Sequence, residues 1–329
     1  MVWRQDHGTC AHAKDVQVLL RRVGALAITV LAAVALGHAF LASAVAGDGL
    51  GHALRTTPHA LSARFLHGDF GATAGGGCNQ MEQYHPLCSS YPGARIATML
   101  RARVPVDAAL LLGGLLLGTL LGVAGGRWCA VRPDTRRTRA LHVLTALQLS
   151  LPVFFTALLV LFYLSSNVSG FIRLPFLSGQ GDYVPLGESP LRYLKALWVP
   201  WLLAALPLAA FVLRITEASL REDLREDFVR TARAKGLSER RVIDRHALPV
   251  AVPAIAAMAA VNVSTLLLNV AVIEYAYNLP GMFRVIDTAA QFRDVSVLEA
   301  MVLEGVVLIV LANFAADALQ AKLDPRLVR

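Results

Sequence analysis

Apolar residues in this chain are gathered into long runs rather than alternating with polar ones. A helix needs about 20 apolar residues to cross a hydrocarbon core of about 30 Å, because lipid offers no partner to a free backbone N–H or C=O. Five such runs carry no formal charge: Val23 to Ala46, Ala108 to Gly126, Ala140 to about Ser165, Ala196 to Leu213, and Ala247 to Ile273. A sixth, about Val297 to Leu319, is interrupted by Glu299, Glu304 and Asp317. The pattern predicts an all-α polytopic membrane protein with six transmembrane helices. The first run follows Arg21-Arg22 and ends on Ala44-Val45-Ala46, as a signal peptide and its cleavage site would. At 24 residues it exceeds the usual signal core of about 7 to 15, so a retained span is preferred.

The polar segments between the runs give an orientation. With both termini inside, segments 1–22, 127–139, 214–246 and 320–329 hold 21 Lys and Arg in 78 positions. The outside segments 47–107, 165–195 and 274–296 hold 10 in 115. That asymmetry is the positive-inside rule, and it expects a multi-pass membrane protein with both termini cytoplasmic. The chain then divides into a cytoplasmic N-terminus (1–22), a first helix (23–46) and an extracytoplasmic loop (47–107). A five-helix core (108–319) and a cytoplasmic tail (320–329) follow.

Composition narrows the function. The chain is 56% hydrophobic and only 16% charged, where soluble domains carry roughly 25% charged residues. Its mean hydropathy of +0.54 excludes an ordinary soluble enzyme. The net charge of +8 accordingly points to an anionic membrane surface rather than to nucleic acid. No G-x-x-x-x-G-K-[ST] phosphate loop is present, so the chain is not expected to hydrolyse ATP itself.

One charged segment, Arg214 to His246, is patterned as helix. Leu220, Leu224, Phe228 and Ala232 recur every four residues and predict one apolar stripe. Gly236 follows Lys235 where that helix would end, since Gly accepts a left-handed C′ conformation and a cation suits the helix C-terminus. Ser238 then caps a second short helix with Glu239 in its first turn. By itself this describes an amphipathic link lying on membrane lipid.

The wording of the segment changes that reading. Arg230-Thr231-Ala232-Arg233-Ala234-Lys235-Gly236, nine further residues, and His246-Ala247-Leu248-Pro249 resemble the EAA motif of ABC importer permeases. Ala232, Gly236, Leu248 and Pro249 match in register, while Arg230 and Thr231 replace the Glu and first Ala. Asp227 to Arg241, Gly68-Asp69-Phe70-Gly71, Asn278-Leu279-Pro280-Gly281, Asn313 with Asp317, and Leu323-Asp324-Pro325-Arg326 are similar to the oligopeptide/dipeptide/nickel branch. The resemblance implies a type I ABC importer permease fold and a non-catalytic subunit. It implies as partners a homologous second permease, ABC ATPase subunits that bind the ATP and Mg, and an extracytoplasmic binding protein delivering peptides. No cofactor is expected on this chain. It also implies that Leu224, Phe228, Ala232, Lys235, Gly236 and Leu237 couple the spans to the ATPase. A nickel or metal-chelate cargo is the alternative within the branch. An ion-gradient transporter would show inverted repeats, and a membrane-embedded enzyme would need a catalytic pair inside a span; neither pattern is found.

Polar residues within the runs are further candidates. Asn262, Ser264, Asn269 and Glu304 could line a translocation path, or could join helix to helix within the bundle. Cys78 and Cys88 enclose nine residues of the outer loop and are candidates for a disulfide on the oxidising side. His52, His59, His67 and His85 share that loop without a recognisable metal-ligand spacing, whereas Cys10 and Cys129 fall inside as free thiols.

Overall fold

A computed structural model describes residues 24, 28–41, 43, 51, 52, 55–57, 96–164 and 183–323. Cys78, Cys88, the Gly68 to Gly71 match, Cys10 and the tail after residue 323 lie outside these residues. All regular structure among the described residues is helical. In chain order it comprises α1 (Ile28–Leu41), α2 (Ile96–Val131), α3 (Arg136–Ser150), α4 (Val153–Leu164) and α5 (Pro190–Asp223). Then come α6 (Asp227–Ala234), α7 (Glu239–Val242), a π-helical turn (Ile243–Ala247), α8 (Leu248–Val261) and α9 (Val263–Tyr277). A 3₁₀ turn (Phe283–Val285), α10 (Ile286–Gln291) and α11 (Val295–Leu323) complete the order. The chain divides into two compact units, Met1–Leu100 with Val285–Val310, and Arg101–Arg284 with Leu311–Arg329.

Among the described residues, four helical stretches are long and apolar enough to cross a membrane: α2, α5, Glu239–Val261 and Val295–Ala316. The pair α3 and α4 makes a fifth if counted as one broken span. Within the first expected span lies α1, a shorter apolar helix.

In the larger unit α5 is central. Fifteen of its 34 residues are buried, and it packs against α3, α4, α8 and α9. Ser189 caps its N-terminus, accepting from the Arg192 N–H, and Pro190 occupies the first turn, where a missing N–H is harmless. Helix α2 meets α5 through glycines. A Cβ at Gly114 would sit 3.1 Å from Ala204, one at Gly118 2.9 Å from Leu208, and one at Gly122 or Gly126 2.5 Å from Val212 or the Leu213 carbonyl. Glycine at every fourth position thus clears one face of α2, letting the backbones approach where apolar burial gives no advantage over lipid. On the other side of α2, Leu112, Leu116 and Leu120 are more than half exposed. An exposed leucine ridge of this kind is expected of a surface that faces lipid or another membrane helix.

The helices depart from the expected apolar runs in three places. Helix α2 begins at Ile96 rather than near residue 108, runs through Pro105, and at 36 residues is about 54 Å long. The expected third span breaks at Leu151-Pro152, where α3 and α4 meet at 106°. Proline cannot donate to the ladder and drives the preceding residue extended, as Leu151 is at φ −97°, ψ 129°. The expected fifth span is interrupted at Asn262, whose φ of −86° and ψ of −1° end α8 and begin α9. Pro207, by contrast, lies inside an uninterrupted α5.

Candidate functional site

The segment between α5 and α8 folds back on the ends of the helices that flank it. Leu220 of α5, Val229 and Ala232 of α6, Val242 of α7, and Ile243 and Ala247 of the π turn are buried together with Ala130 of α2; Leu224 and Leu237 pack at the edge. The expected single stripe is therefore divided. Helix α5 stops at Asp223, and α6 starts afresh at Asp227 with Glu226 as its N-cap. Acidic residues explain the break, because Glu222 and Asp223 oppose the negative end of α5 while Asp227 suits the positive end of α6.

This division sorts the six expected coupling residues. Ala232 is closed within the chain's own core and Leu224 and Leu237 border it, so these three hold the segment together rather than offer free anchors. Val229, not Phe228, completes the buried face. Phe228 is 41% exposed. Arg230, Thr231, Arg233 and Lys235 of the same segment are exposed as well, with Arg230 paired to Asp227 and Arg233 to Glu239. An exposed aromatic side chain on a segment carrying exposed charges of both signs is the pattern of a docking surface with a steering rim.

Gly236 takes φ +75°, the left-handed conformation expected of it. Its N–H bonds to the Arg233 carbonyl at 2.9 Å, and no atom lies within 4 Å of the place a Cβ would occupy. Arg233 fastens the turn. Its Nη2 and Nε donate to Glu239 Oε1 and Oε2 at 2.7 and 3.1 Å, and its Nη1 donates to the Leu224 carbonyl at 3.4 Å. The charge-assisted bond from Arg233 holds the Glu239 carboxyl below its ordinary range, in the charged stretch that precedes the apolar run from Ala247. Arg127 Nε, on α2, donates to Asp244 Oδ1 at 2.8 Å and ties the π turn to that helix. The π turn itself carries the chain into Leu248-Pro249. Leu248 N–H bonds to the Ile243 carbonyl, a wider i to i+5 step that accommodates the proline ring at the start of α8.

Of the expected path residues, Asn262 and Asn269 line one small cleft with Thr265 against Pro207, Leu208 and Phe211 of α5. Asn262 also donates to the Met258 carbonyl at 2.8 Å. Ser264 is exposed and does not line that cleft. Thr265 was missed by the sequence reading, although three- and four-residue spacing places it between the two asparagines on one helical face. Glu304 is buried in the smaller unit. There Glu299 pairs with His38 Nδ1 of α1, a histidine that stands within the first apolar run and was also passed over.

The Asn278-Leu279-Pro280-Gly281 motif forms a buried polar knot. Asn278, at φ 52°, ends α9, and the Leu279 N–H reaches back to the Glu274 carbonyl at 3.0 Å. The Met282 N–H donates to Asp107 Oδ2 at 2.8 Å, and Arg103 Nη1 donates to the Gly281 carbonyl at 3.0 Å. Gly281 lies so close to the Asp107 and Glu274 carboxyl groups that any Cβ would overlap them. Arg103 and Asp107, assigned by hydropathy to an outside loop, are thus the α2 residues that hold this knot.

Comparison with known proteins agrees with this architecture. Residues 115–329 match the family described as binding-protein-dependent transport system inner membrane component. The oligopeptide transport system permease proteins OppB of Mycobacterium bovis and Mycobacterium tuberculosis are each 32% identical over 242 residues, 71% of this chain and 73% of theirs. A chain of the MetNI methionine ABC transporter, solved in inward-facing conformations, superposes with a TM-score of 0.53 at 18% identity. That superposition covers 69% of this chain and 97% of the other. It shows the ABC importer permease fold, and with the sequence match it establishes that this chain belongs to the family of inner membrane components of binding-protein-dependent transport systems.

Proposed function

We propose that this chain is one of two permease subunits of an ATP-driven importer and, with a homologous partner, forms the path for di- or oligopeptides delivered by an extracytoplasmic binding protein. Both termini and the segment 214–246 lie in the cytoplasm. The ATP and Mg belong to separate ATPase subunits, and this chain carries no catalytic residue of its own. The observation that carries the reading is the segment's build: a core shared with Ala130 of α2, a left-handed turn at Gly236, and Phe228 left exposed. Such a surface is rigid before its partner arrives, so docking orders little that is not already ordered. The peptide cargo is supported by the relatives named as oligopeptide permeases.

Phe228→Ala tests this reading. The side chain takes no part in the segment's core, so the complex should assemble and melt as the wild type does. Loss of a docking anchor commonly costs about 2 kcal/mol or more, roughly 30-fold in affinity. Peptide-stimulated ATP hydrolysis and peptide uptake in proteoliposomes should fall together. Undiminished stimulated uptake would reject the docking role.

A further inference from the structure

Beside the coupling segment, the ends of α2, α3 and α5 bring together three side chains that neither docking nor the path uses. Cys129 of α2 is fully buried, Glu217 of α5 is 7% exposed, and His142 of α3 is half-buried. One ligand atom from each, the Cys129 thiol sulfur, a His142 ring nitrogen and a Glu217 carboxylate oxygen, lies within 4.8 Å of the other two. In the structure His142 Nε2 and Glu217 Oε2 are joined at 2.8 Å. Glu217 Oε1 meets Arg221 Nη2 at 2.7 Å. An open cavity of about 400 Å³ lined by His142, Thr145, Arg214, Glu217, Ala218 and Arg221 reaches two of them, His142 and Glu217.

We infer that Cys129, His142 and Glu217 form a three-ligand site for a thiophilic divalent cation of the Zn²⁺ class, entered through that cavity. Sulfur, imidazole nitrogen and carboxylate oxygen together select a borderline-soft ion over Mg²⁺ or Ca²⁺. Zn²⁺ bonds of about 2.0 to 2.3 Å in tetrahedral array set ligand atoms about 3.3 to 3.7 Å apart. The widest separation therefore needs to close by at most about an ångström, while the His142–Glu217 pair opens by about half an ångström. The ion would take the place of the proton between His142 and Glu217, and the thiol proton is released to water by way of the His142–Glu217 pair that borders the cavity. Arg221 can keep its contact with the other carboxylate oxygen and orient it, as outer groups do around a metal. A thiolate and a carboxylate neutralise the ion. Three protein ligands leave a fourth position, facing the cavity, for water or a small cytosolic donor. An occupied site would fasten α2, α3 and α5 to one another next to Leu220 and Leu224. The site does not depend on which cargo the importer carries, so its failure would leave the peptide reading intact.

The test uses the full chain, purified with chelator, in a background where Cys10, Cys78 and Cys88 are replaced by Ser so that Cys129 is the sole thiol. Co²⁺ is the probe, because a thiolate bound to it absorbs by charge transfer in the near ultraviolet. One Co²⁺ per chain with that band, displaced by Zn²⁺, is expected. Cys129→Ser should abolish the band. His142→Gln, at a half-exposed position, should weaken Co²⁺ at least about tenfold, since even outer-group losses cost about 10- to 100-fold. The melting temperature of each apo variant verifies that it is folded. Absence of the band in the sole-thiol protein, its survival in Cys129→Ser, or unchanged affinity in a folded His142→Gln would overturn the site.

Discussion

At Gly236 the backbone, not the side-chain space, sets what the position tolerates. With φ at +75° and open space where a Cβ would go, a substitution meets strain and no clash. An L-residue in the left-handed region costs about 1 to 2 kcal/mol, less for Asn, and proline cannot reach it. Peptide uptake is therefore expected to fall in the order Gly, Asn, Ala, Arg, Pro at residue 236, with the yield of assembled complex nearly constant across the series. Uptake by Gly236→Pro equal to that of Gly236→Asn would refute the turn's role. Gly236 was legible in the sequence because glycine is the ordinary marker of positive φ. Val229 was not, since a spacing of four from Leu220 selects Phe228 unless the break after Asp223 is recognised. The signal for that break was the acidic group Glu222, Asp223, Glu226 and Asp227, which first reads as a solvated helix face.

Among the elements, the turn between α6 and α7 and the crossing of α2 with α5 make separate predictions. Arg233 lowers the Glu239 pKa in the folded chain, so the sign is that of a paired carboxylate. Its contribution is complete above the unfolded value of about 4.3 and is lost as the pH falls through the lower folded value. Both side chains are more than a third exposed, which limits the effect to about 0.2 to 1 kcal/mol. Hydrogen exchange of the 233–239 backbone should quicken on acidification in that window, and Glu239→Gln should flatten the response. At the crossing, Gly122→Leu would drive a side chain into Val212. Overpacking of this kind costs about 1 to 3 kcal/mol, and the effect should appear as a lower melting temperature and reduced yield, whereas Leu116→Ala on the exposed face should change little. Hydropathy found the apolar runs but not where α2 begins. The buried Arg103 and Asp107 read as loop residues until their partners near Gly281, some 175 positions away, are known.

For the whole molecule, the positive-inside asymmetry makes the topology testable. A single Cys introduced at Ser238 in a background lacking the native thiols should react with a membrane-impermeant reagent only after the cells are opened. Labelling in intact cells would reverse the orientation and reject the proposed docking of segment 214–246 to ATPase subunits. Fold class and family were legible because a long apolar run and the spacing around Gly236 are local features of the sequence. The cleft of Asn262, Thr265 and Asn269, the pairing of His38 with Glu299 and the meeting of Cys129, His142 and Glu217 were not. Each depends on which helix faces become neighbours, and no single segment records that.

The interruption at Asn262 gives α8 a mechanical length. From Leu248 to Val261 it is a rod of 14 residues, about 21 Å, set at one end in the core around Ala247 and ending at Asn262 at the other. If the joint at Asn262 is the pivot, a swing of about 10° carries the Leu248 end through about 3.7 Å over that length. The lever ratio also runs backward: a displacement of a few ångströms imposed at Phe228 reaches the asparagine cleft as a rotation, with little translation. A small-angle turn at the cleft is then the geometric counterpart of a large stroke at the docking surface.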